Sequence, residues 1–127
     1  MYRIGKTFGF EAAHRLPLPP THKCSRLHGH SYRAEVILGA EQLDANGFVI
    51  DFGELDPVKA YLAEQLDHRD LGVVVAVPSS ENIARHLYDW CTNGGLLLPN
   101  QVRIEAIRVS ETESTWAEYG PDEKGRR

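Results

Sequence analysis

Residues 28–38, with the sequence HGHSYRAEVIL, alternate between two kinds of side chain. The even-numbered positions are imidazole, aromatic or aliphatic, whereas the charged residues Arg33 and Glu35 lie between them. Successive side chains of a β-strand point to opposite faces, so this pattern predicts a strand with one buried face. The same alternation runs through residues 2–14, YRIGKTFGFEAAH, where Lys6 alone interrupts the apolar face. The chain is therefore expected to begin with two strands.

The rest of the chain predicts two helices followed by two more strands. Residues 54–66 place leucine and valine on one helical stripe, and residues 79–91 form a second apolar stripe after a pair of N-cap serines. Residues 101–109 are rich in valine and isoleucine, and residues 115–119 resemble a short final strand. The order strand, strand, helix, helix, strand, strand favours an α+β domain, with both helices on one face of a four-stranded antiparallel sheet.

Length and composition restrict the class of protein. A chain of 127 residues, 42% of them hydrophobic, predicts one globular domain over residues 1–120, and the polar residues 121–127 are expected to form a frayed tail. The net charge of −4 argues against a general nucleic-acid-binding protein. Two cysteines cannot form a disulfide framework, and no segment resembles a signal peptide or a membrane span, so the expected location is the cytoplasm.

Three of the six histidines are predicted to converge. His28 and His30 share a strand face, and His14 ends the matching face of the first strand. If the two strands pair as a hairpin around residues 15–27, His14 meets the other two across the ladder. Three neutral imidazoles leave the fourth tetrahedral position of zinc open, which favours a catalytic metal site over a structural one. Nickel and iron also accept such ligands.

Cys24 lies in the proline-rich loop between these strands and admits two functional interpretations. As a fourth, sulfur ligand it would close the zinc site and make it structural. As a free thiolate it would act as a base or nucleophile. The second cysteine, Cys91, lies on the apolar helix stripe and is expected to be a small buried residue.

The remaining titratable candidates are less distinctive. His68 follows the first predicted helix, flanked by charged residues, and an imidazole there suits proton transfer near neutral pH. Glu111 extends the apolar strand, and if buried it needs a partner such as a ligand edge with two N–H donors. Glu81 lies in the first turn of the second helix, where the helix dipole favours an acid. His22 and His86 are expected in a loop and on a helix surface.

Six short motifs, in order along the chain, resemble the 6-pyruvoyl-tetrahydropterin synthase family, and most closely its bacterial branch, the 6-carboxy-5,6,7,8-tetrahydropterin synthases of queuosine biosynthesis. The motifs are FEAAH (10–14), CSRLHGH (24–30), VIDF (49–52), LDHRDL (66–71), SEN (80–82) and VSET (109–112). The resemblance extends to about Tyr119. It implies a tunnelling fold, in which trimers join their sheets into a barrel and two trimers usually stack into a hexamer.

The resemblance also implies roles for particular residues. It implies one catalytic zinc ion per subunit, with the ligands His14, His28 and His30. It implies that Cys24 is the catalytic thiol. It also implies that Asp67 and His68 form a proton-relay pair, which a neighbouring subunit supplies to the site. Glu111 is expected to be the acid that anchors the pterin ring, assisted by Glu81 and by Ser79 or Ser80 near the start of the second helix.

The implied reaction is a zinc-dependent lyase reaction, which converts 7,8-dihydroneopterin triphosphate to 6-carboxy-5,6,7,8-tetrahydropterin with loss of acetaldehyde and triphosphate. One alternative is 6-pyruvoyl-tetrahydropterin synthase, which eliminates triphosphate without cleaving the side chain. Another is a non-catalytic domain whose zinc is held by three histidines and one cysteine. The segment between Glu11 and Glu35 contains no acid, so the predicted metal region is locally cationic and suits a small triphosphate.

Overall fold

The chain forms an antiparallel sheet of four strands with two helices packed on it. The structure, a computed structural model, describes residues 1–121, so residues 122–127 of the predicted tail lie outside the described residues. The sheet has the strand order β1-β2-β3-β4, which confirms the predicted α+β class. The elements in chain order are β1 (Tyr2–His14), β2 (His28–Ala40), α1 (Asp56–Gln65), α2 (Ser80–Trp90), β3 (Arg103–Thr112) and β4 (Thr115–Tyr119).

The long hairpin of β1 and β2 forms the centre of the fold. Its register runs from Tyr2 opposite Ala40 to His14 opposite His28 without interruption. Because side chains alternate along each strand, one face of this hairpin packs against the helices while the other stays accessible. The buried residues of that face are Phe8, Phe10, Ala12, His14, Tyr32, Ala34, Val36, Leu38 and Ala40.

The helices bury the stripes that the sequence predicts. A 3₁₀ turn at Phe52–Leu55 leads into α1, and Pro57 lies in its first turn, where a proline removes no intrahelical hydrogen bond. Ser79 caps α2, since its Oγ accepts the Asn82 N–H at 3.2 Å. The two helices bury Val58, Leu62, Ile83, Ala84 and Leu87. Among residues 1–121, no helix is long and apolar enough to cross a membrane.

The third strand differs from its prediction in a way that matters for function. It runs from Arg103 to Thr112, so Glu111 lies within the strand instead of beyond its end. The register between β3 and β4 shifts between Val109 and Thr112. Such irregularities bend a strand and redirect its side chains, and this one coincides with the candidate acid.

Candidate functional site

The three predicted histidines meet at one end of the β1–β2 hairpin. The register places His14 directly opposite His28, and His30 lies two residues further along the same face. The ring centroids are 4.6 Å apart for His14 and His28, 5.1 Å for His14 and His30, and 4.9 Å for His28 and His30. One nitrogen from each ring lies within 4.8 Å of the other two, close enough for one metal ion.

Two main-chain carbonyl groups fix the orientation of these rings. The Nδ1–H group of His14 donates to the Pro78 carbonyl at 2.6 Å, and that of His28 donates to the Arg26 carbonyl at 2.7 Å. Each ring therefore presents an Nε2 lone pair, yet the two Nε2 atoms are only 3.0 Å apart. Two facing lone pairs repel unless a cation lies between them, and metal-binding histidines are oriented by this kind of hydrogen bond. The residues present fit a metal ion.

The third ring, that of His30, also has a nitrogen without a hydrogen-bond partner among the described residues. The Nε2 atom of His30 is buried and makes no hydrogen bond with any residue among 1–121. Burial lowers the pKa of His30, and the neighbouring His14 and His28 lower it further, against an opposing effect of Glu111. A lowered pKa keeps the imidazole neutral, which is the form that binds metal.

Glu111 lies beside the histidine group. Its Oε2 atom is 3.7 Å from the His14 Nε2 and 3.9 Å from the His30 Nε2. The hydroxyl of Ser80 donates to the same oxygen at 3.2 Å. The side chain is 31% exposed, so the carboxylate is held by the protein on one side and accessible to a ligand on the other. Ser79, by contrast, caps α2, and Glu81 is exposed in the first turn of that helix.

Cys24 lies in a short turn outside the histidine group. The turn is a 3₁₀ helix over Lys23–Ser25, and the Cys24 side chain is half-buried. Within residues 1–121, the group of donor atoms close enough to share a metal ion comprises the three histidines and does not include the Cys24 sulfur. Cys24 forms no disulfide, and a sulfur outside this group leaves the fourth position of a metal ion there open.

Asp67 and His68 form a pair on the outer edge of β1. The His68 Nδ1–H donates to Asp67 Oδ2 at 2.9 Å, and Asp67 Oδ1 accepts the Glu11 N–H at 2.8 Å. The Glu11 N–H, together with the His68 ring, holds the pKa of Asp67 below its ordinary value of 3.8. The His68 side chain is 78% exposed and bonds to Asp67, while the His68 main-chain N–H donates to the Glu11 carbonyl. None of these contacts joins the pair to the three histidines of the same chain.

Tyr32 is a residue of this region that the sequence analysis did not select. Its ring stacks on Phe10 at 5.1 Å and lies edge-on to His14 and His30 at 5.8 and 5.5 Å. Its hydroxyl is buried without a hydrogen-bond partner among the described residues, and burial together with Glu111 raises its pKa. The available signal was its place in the alternation, on the same face as His28 and His30.

Two other titratable residues are accounted for by packing. Cys91 is buried, as predicted, and burial raises its pKa to about 12. His86 differs from the expected surface residue, because its ring is partly buried and its Nε2 accepts a hydrogen bond of 2.6 Å from the Tyr61 hydroxyl. Tyr61 in turn stacks on Trp90 at 4.3 Å, so this contact joins α1 to α2.

Comparison with known proteins gives a consistent result. The model of the family described as 6-pyruvoyl tetrahydropterin synthase matches residues 3–122. A Synechocystis protein named 6-carboxy-5,6,7,8-tetrahydropterin synthase is 35% identical over 94% of this chain and 93% of its own. A Pyrococcus furiosus protein named dihydroneopterin monophosphate aldolase is 30% identical over 86% of this chain and 89% of its own. The solved structure of Caenorhabditis elegans 6-pyruvoyl tetrahydropterin synthase superposes with a TM-score of 0.80 at 25% identity, covering 95% of this chain and 96% of that one.

Proposed function

The chain belongs to the 6-pyruvoyl tetrahydropterin synthase family of pterin-metabolising enzymes, and within it we propose that the protein is a zinc-dependent 6-carboxy-5,6,7,8-tetrahydropterin synthase. In this reaction 7,8-dihydroneopterin triphosphate is converted to 6-carboxy-5,6,7,8-tetrahydropterin, with release of acetaldehyde and triphosphate. The product would serve queuosine biosynthesis in the cytoplasm. The name of the Synechocystis relative supports this choice of product.

The observation that carries the proposal is the convergence of three imidazole nitrogens beside a carboxylate. His14, His28 and His30 would hold the zinc ion through their Nε2 atoms, which are already oriented by carbonyl groups or left without a partner. Zinc held there would supply Lewis-acid chemistry toward a hydroxyl or carbonyl oxygen of the substrate side chain. The three rings leave room for such an oxygen, since the Cys24 sulfur is not a member of the group.

Glu111 is proposed to anchor the pterin ring. A pterin edge presents two N–H donors, and a carboxylate accepts such a pair with charge-assisted hydrogen bonds. The Ser80 hydroxyl holds one oxygen of Glu111 at 3.2 Å, which limits rotation of the carboxylate. Ser79 and Glu81 are assigned a smaller share in this binding, because the first caps α2 and the second is exposed.

Cys24 and the Asp67–His68 pair are proposed to move protons during triphosphate loss and carbon–carbon cleavage. Because the His68 Nδ1–H is engaged by Asp67, the ring presents its Nε2 to accept and return a proton. The exposure of His68 at the edge of the sheet supports its supply to the site of a neighbouring subunit. The proposed assembly is accordingly a trimer or a dimer of trimers with active sites at subunit interfaces.

The loop between β1 and β2 is proposed to face the triphosphate. Its cationic side chains are exposed and no acid lies between Glu11 and Glu35, so an anion meets little opposing charge there. These side chains are Arg15, Lys23 and Arg26. Electrostatic attraction of this kind raises the local concentration of an anionic substrate.

A product assay tests the reaction. The zinc-loaded protein is incubated with 7,8-dihydroneopterin triphosphate, and the products are identified by mass spectrometry together with an acetaldehyde assay. Acetaldehyde with 6-carboxy-tetrahydropterin supports the proposal. Pyruvoyl-tetrahydropterin without acetaldehyde assigns the activity of the C. elegans neighbour instead. Turnover of the monophosphate alone would assign the activity of the P. furiosus relative.

A C24A variant tests the thiol and the open metal site together. We expect C24A to lose turnover while keeping its zinc, because the sulfur lies outside the histidine group. Full turnover in C24A would exclude the catalytic thiol. Loss of zinc from C24A, with a zinc–sulfur distance of about 2.3 Å in the X-ray absorption spectrum of the wild type, would instead indicate the structural site of three histidines and one cysteine.

A further inference from the structure

The turn that carries Cys24 is held by the side chain of His22. The His22 Nδ1 accepts the main-chain N–H of Cys24 at 3.0 Å. The His22 main chain is extended, with φ −83° and ψ 132°, and its carbonyl accepts the Ser25 N–H at 3.0 Å and the Ser25 hydroxyl at 2.8 Å. His22 therefore caps the turn Lys23–Ser25 from both its ring and its main chain.

The loop around this cap has little other support. None of residues 15–27 is buried, so no side chain of this loop belongs to the apolar core. The Cys24 main chain is fixed by two hydrogen bonds, one to the His22 ring and one that its carbonyl accepts from the Leu16 N–H at 2.9 Å. In a loop without core packing, such bonds decide how often the segment opens.

The chemistry of the ring defines what His22 does. Because its Nδ1 accepts a hydrogen bond from an amide N–H, that nitrogen carries the lone pair and the neutral ring holds its own proton on Nε2. Ser, Thr, Asp and Asn are the usual residues at this capping position, and each caps through a side-chain oxygen. An asparagine therefore reproduces the cap and none of the acid–base chemistry of an imidazole.

We infer that His22 is a positioning residue. Its ring fixes the main chain of Cys24, and this holds the thiol in one position relative to the substrate. The inference rests on the proposed catalytic role of Cys24. His22 acts through its hydrogen bond to Cys24, and touches neither the three histidines nor Glu111 among the described contacts of residues 1–121.

The variants H22A, H22N and S25A test this role. The alkylation rate of Cys24 by iodoacetamide is measured in each, with kcat and KM on the same samples, and the burial of Cys91 keeps that second thiol out of the assay. In H22A we expect alkylation to accelerate about fivefold, which corresponds to the loss of one side-chain cap, and kcat to fall by a similar factor with KM unchanged. H22N restores both quantities to within about twofold of the wild type, since its oxygen accepts the same amide.

S25A is the matched control, because it removes the hydroxyl contacts to the His22 and Pro20 carbonyls and leaves the His22 bond to the Cys24 N–H in place. It is expected to keep both quantities close to those of the wild type. The inference is overturned if H22A alkylates at the wild-type rate, if H22N is as defective as H22A, or if S25A matches H22A. Should the wild type fail to turn over the proposed substrate, the proposed function fails, while the alkylation rates still decide the role of His22.

Discussion

The Nδ1–H group of His14 donates a hydrogen bond of 2.6 Å to the carbonyl oxygen of Pro78, a residue 64 positions away in the chain. The bond joins the end of β1 to the segment that leads into α2. His14 is fully buried, so this bond is shielded from water. One side chain thus connects the sheet to a helix and also presents an Nε2 atom to the candidate metal site.

This double role predicts different consequences for two of the histidines. Both H14A and H28A are expected to lose bound zinc, because either change removes one of three ligands. In metal-free protein, H14A is expected to lower the free energy of unfolding by about 2 kcal/mol, since it leaves a cavity and an unpaired carbonyl. H28A is expected to lower it by less than about 1 kcal/mol, because the side chain is only partly buried.

Zinc content by elemental analysis and urea unfolding of chelator-treated proteins measure these two effects separately. H22A serves as a control for the loss of a histidine, and it should retain zinc. Equal destabilisation of H14A and H28A without metal would contradict the structural role of the Pro78 contact.

The position of Glu111 predicts a loss of pterin binding in E111Q. The amide keeps the size of the side chain but loses the negative charge, so the charge-assisted hydrogen bonds to the pterin edge weaken and KM is expected to rise about tenfold or more. The matched control is E113Q, which makes the same change of charge at an exposed residue two positions away. A KM in E111Q equal to that in E113Q would remove Glu111 from the binding site, and the zinc content of both variants distinguishes ligand binding from metal loss.

The backbone of His68 predicts a separation of stability from activity. His68 has φ 60°, a left-handed conformation that disfavours residues with a Cβ atom. We expect H68G to be more stable than H68A by about 1 kcal/mol, because glycine adopts this conformation without the steric penalty. Both variants lack the imidazole and are expected to lose turnover.

Thermal or urea unfolding of H68G and H68A, measured in the same buffer and at the same metal content, compares the stabilities of the two variants. Equal stability of the two would contradict this expectation. Full turnover in either variant would exclude His68 from proton transfer.

The contact between Tyr61 and His86 predicts a pH-dependent contribution to stability. Burial lowers the pKa of His86, against an opposing effect of Asp89, and the neutral ring accepts the Tyr61 hydroxyl. Because the pKa of His86 is lowered in the folded state, its contribution to the free energy of unfolding is complete above pH 6.5, the ordinary pKa of an imidazole. This contribution is lost as the pH falls toward the folded-state pKa.

Urea unfolding of the wild type and of H86Q, at about pH 8 and about pH 5.5, measures this contribution as the difference between the two proteins. The difference is expected to shrink at the lower pH. Subtracting H86Q cancels the titration of the other histidines. A difference independent of pH would mean that His86 titrates alike in the folded and unfolded chains.

Much of the fold follows from the two periodicities in the sequence. The alternation in residues 2–14 and 28–38 predicted the hairpin, and the apolar stripes predicted both helices, because each pattern reports which side chains face the core. The extent of β3 was less predictable. Ser110 and Glu111 are polar, so the sequence indicates a strand end at Val109, whereas pairing with β4 continues the strand to Thr112.

The candidate site was predictable where it depends on the hairpin alone. His14, His28 and His30 converge because strand register and period place them on one face. Other contacts depend on residues far apart in sequence. The Pro78 carbonyl reaches His14, and the Glu11 main chain holds Asp67, through tertiary packing that no local pattern encodes.

The register of the β1–β2 hairpin has a final consequence for how the protein reaches its native state. Slippage of β1 by one residue would turn the His14 ring to the opposite face of the sheet, and slippage by two would move it about 7 Å along β2, away from His28. In the native register, the pairing of His14 with His28 brings the three nitrogens together. A bound cation would therefore favour the native strand register, because its binding free energy stabilises the correctly paired chain and not the misaligned ones.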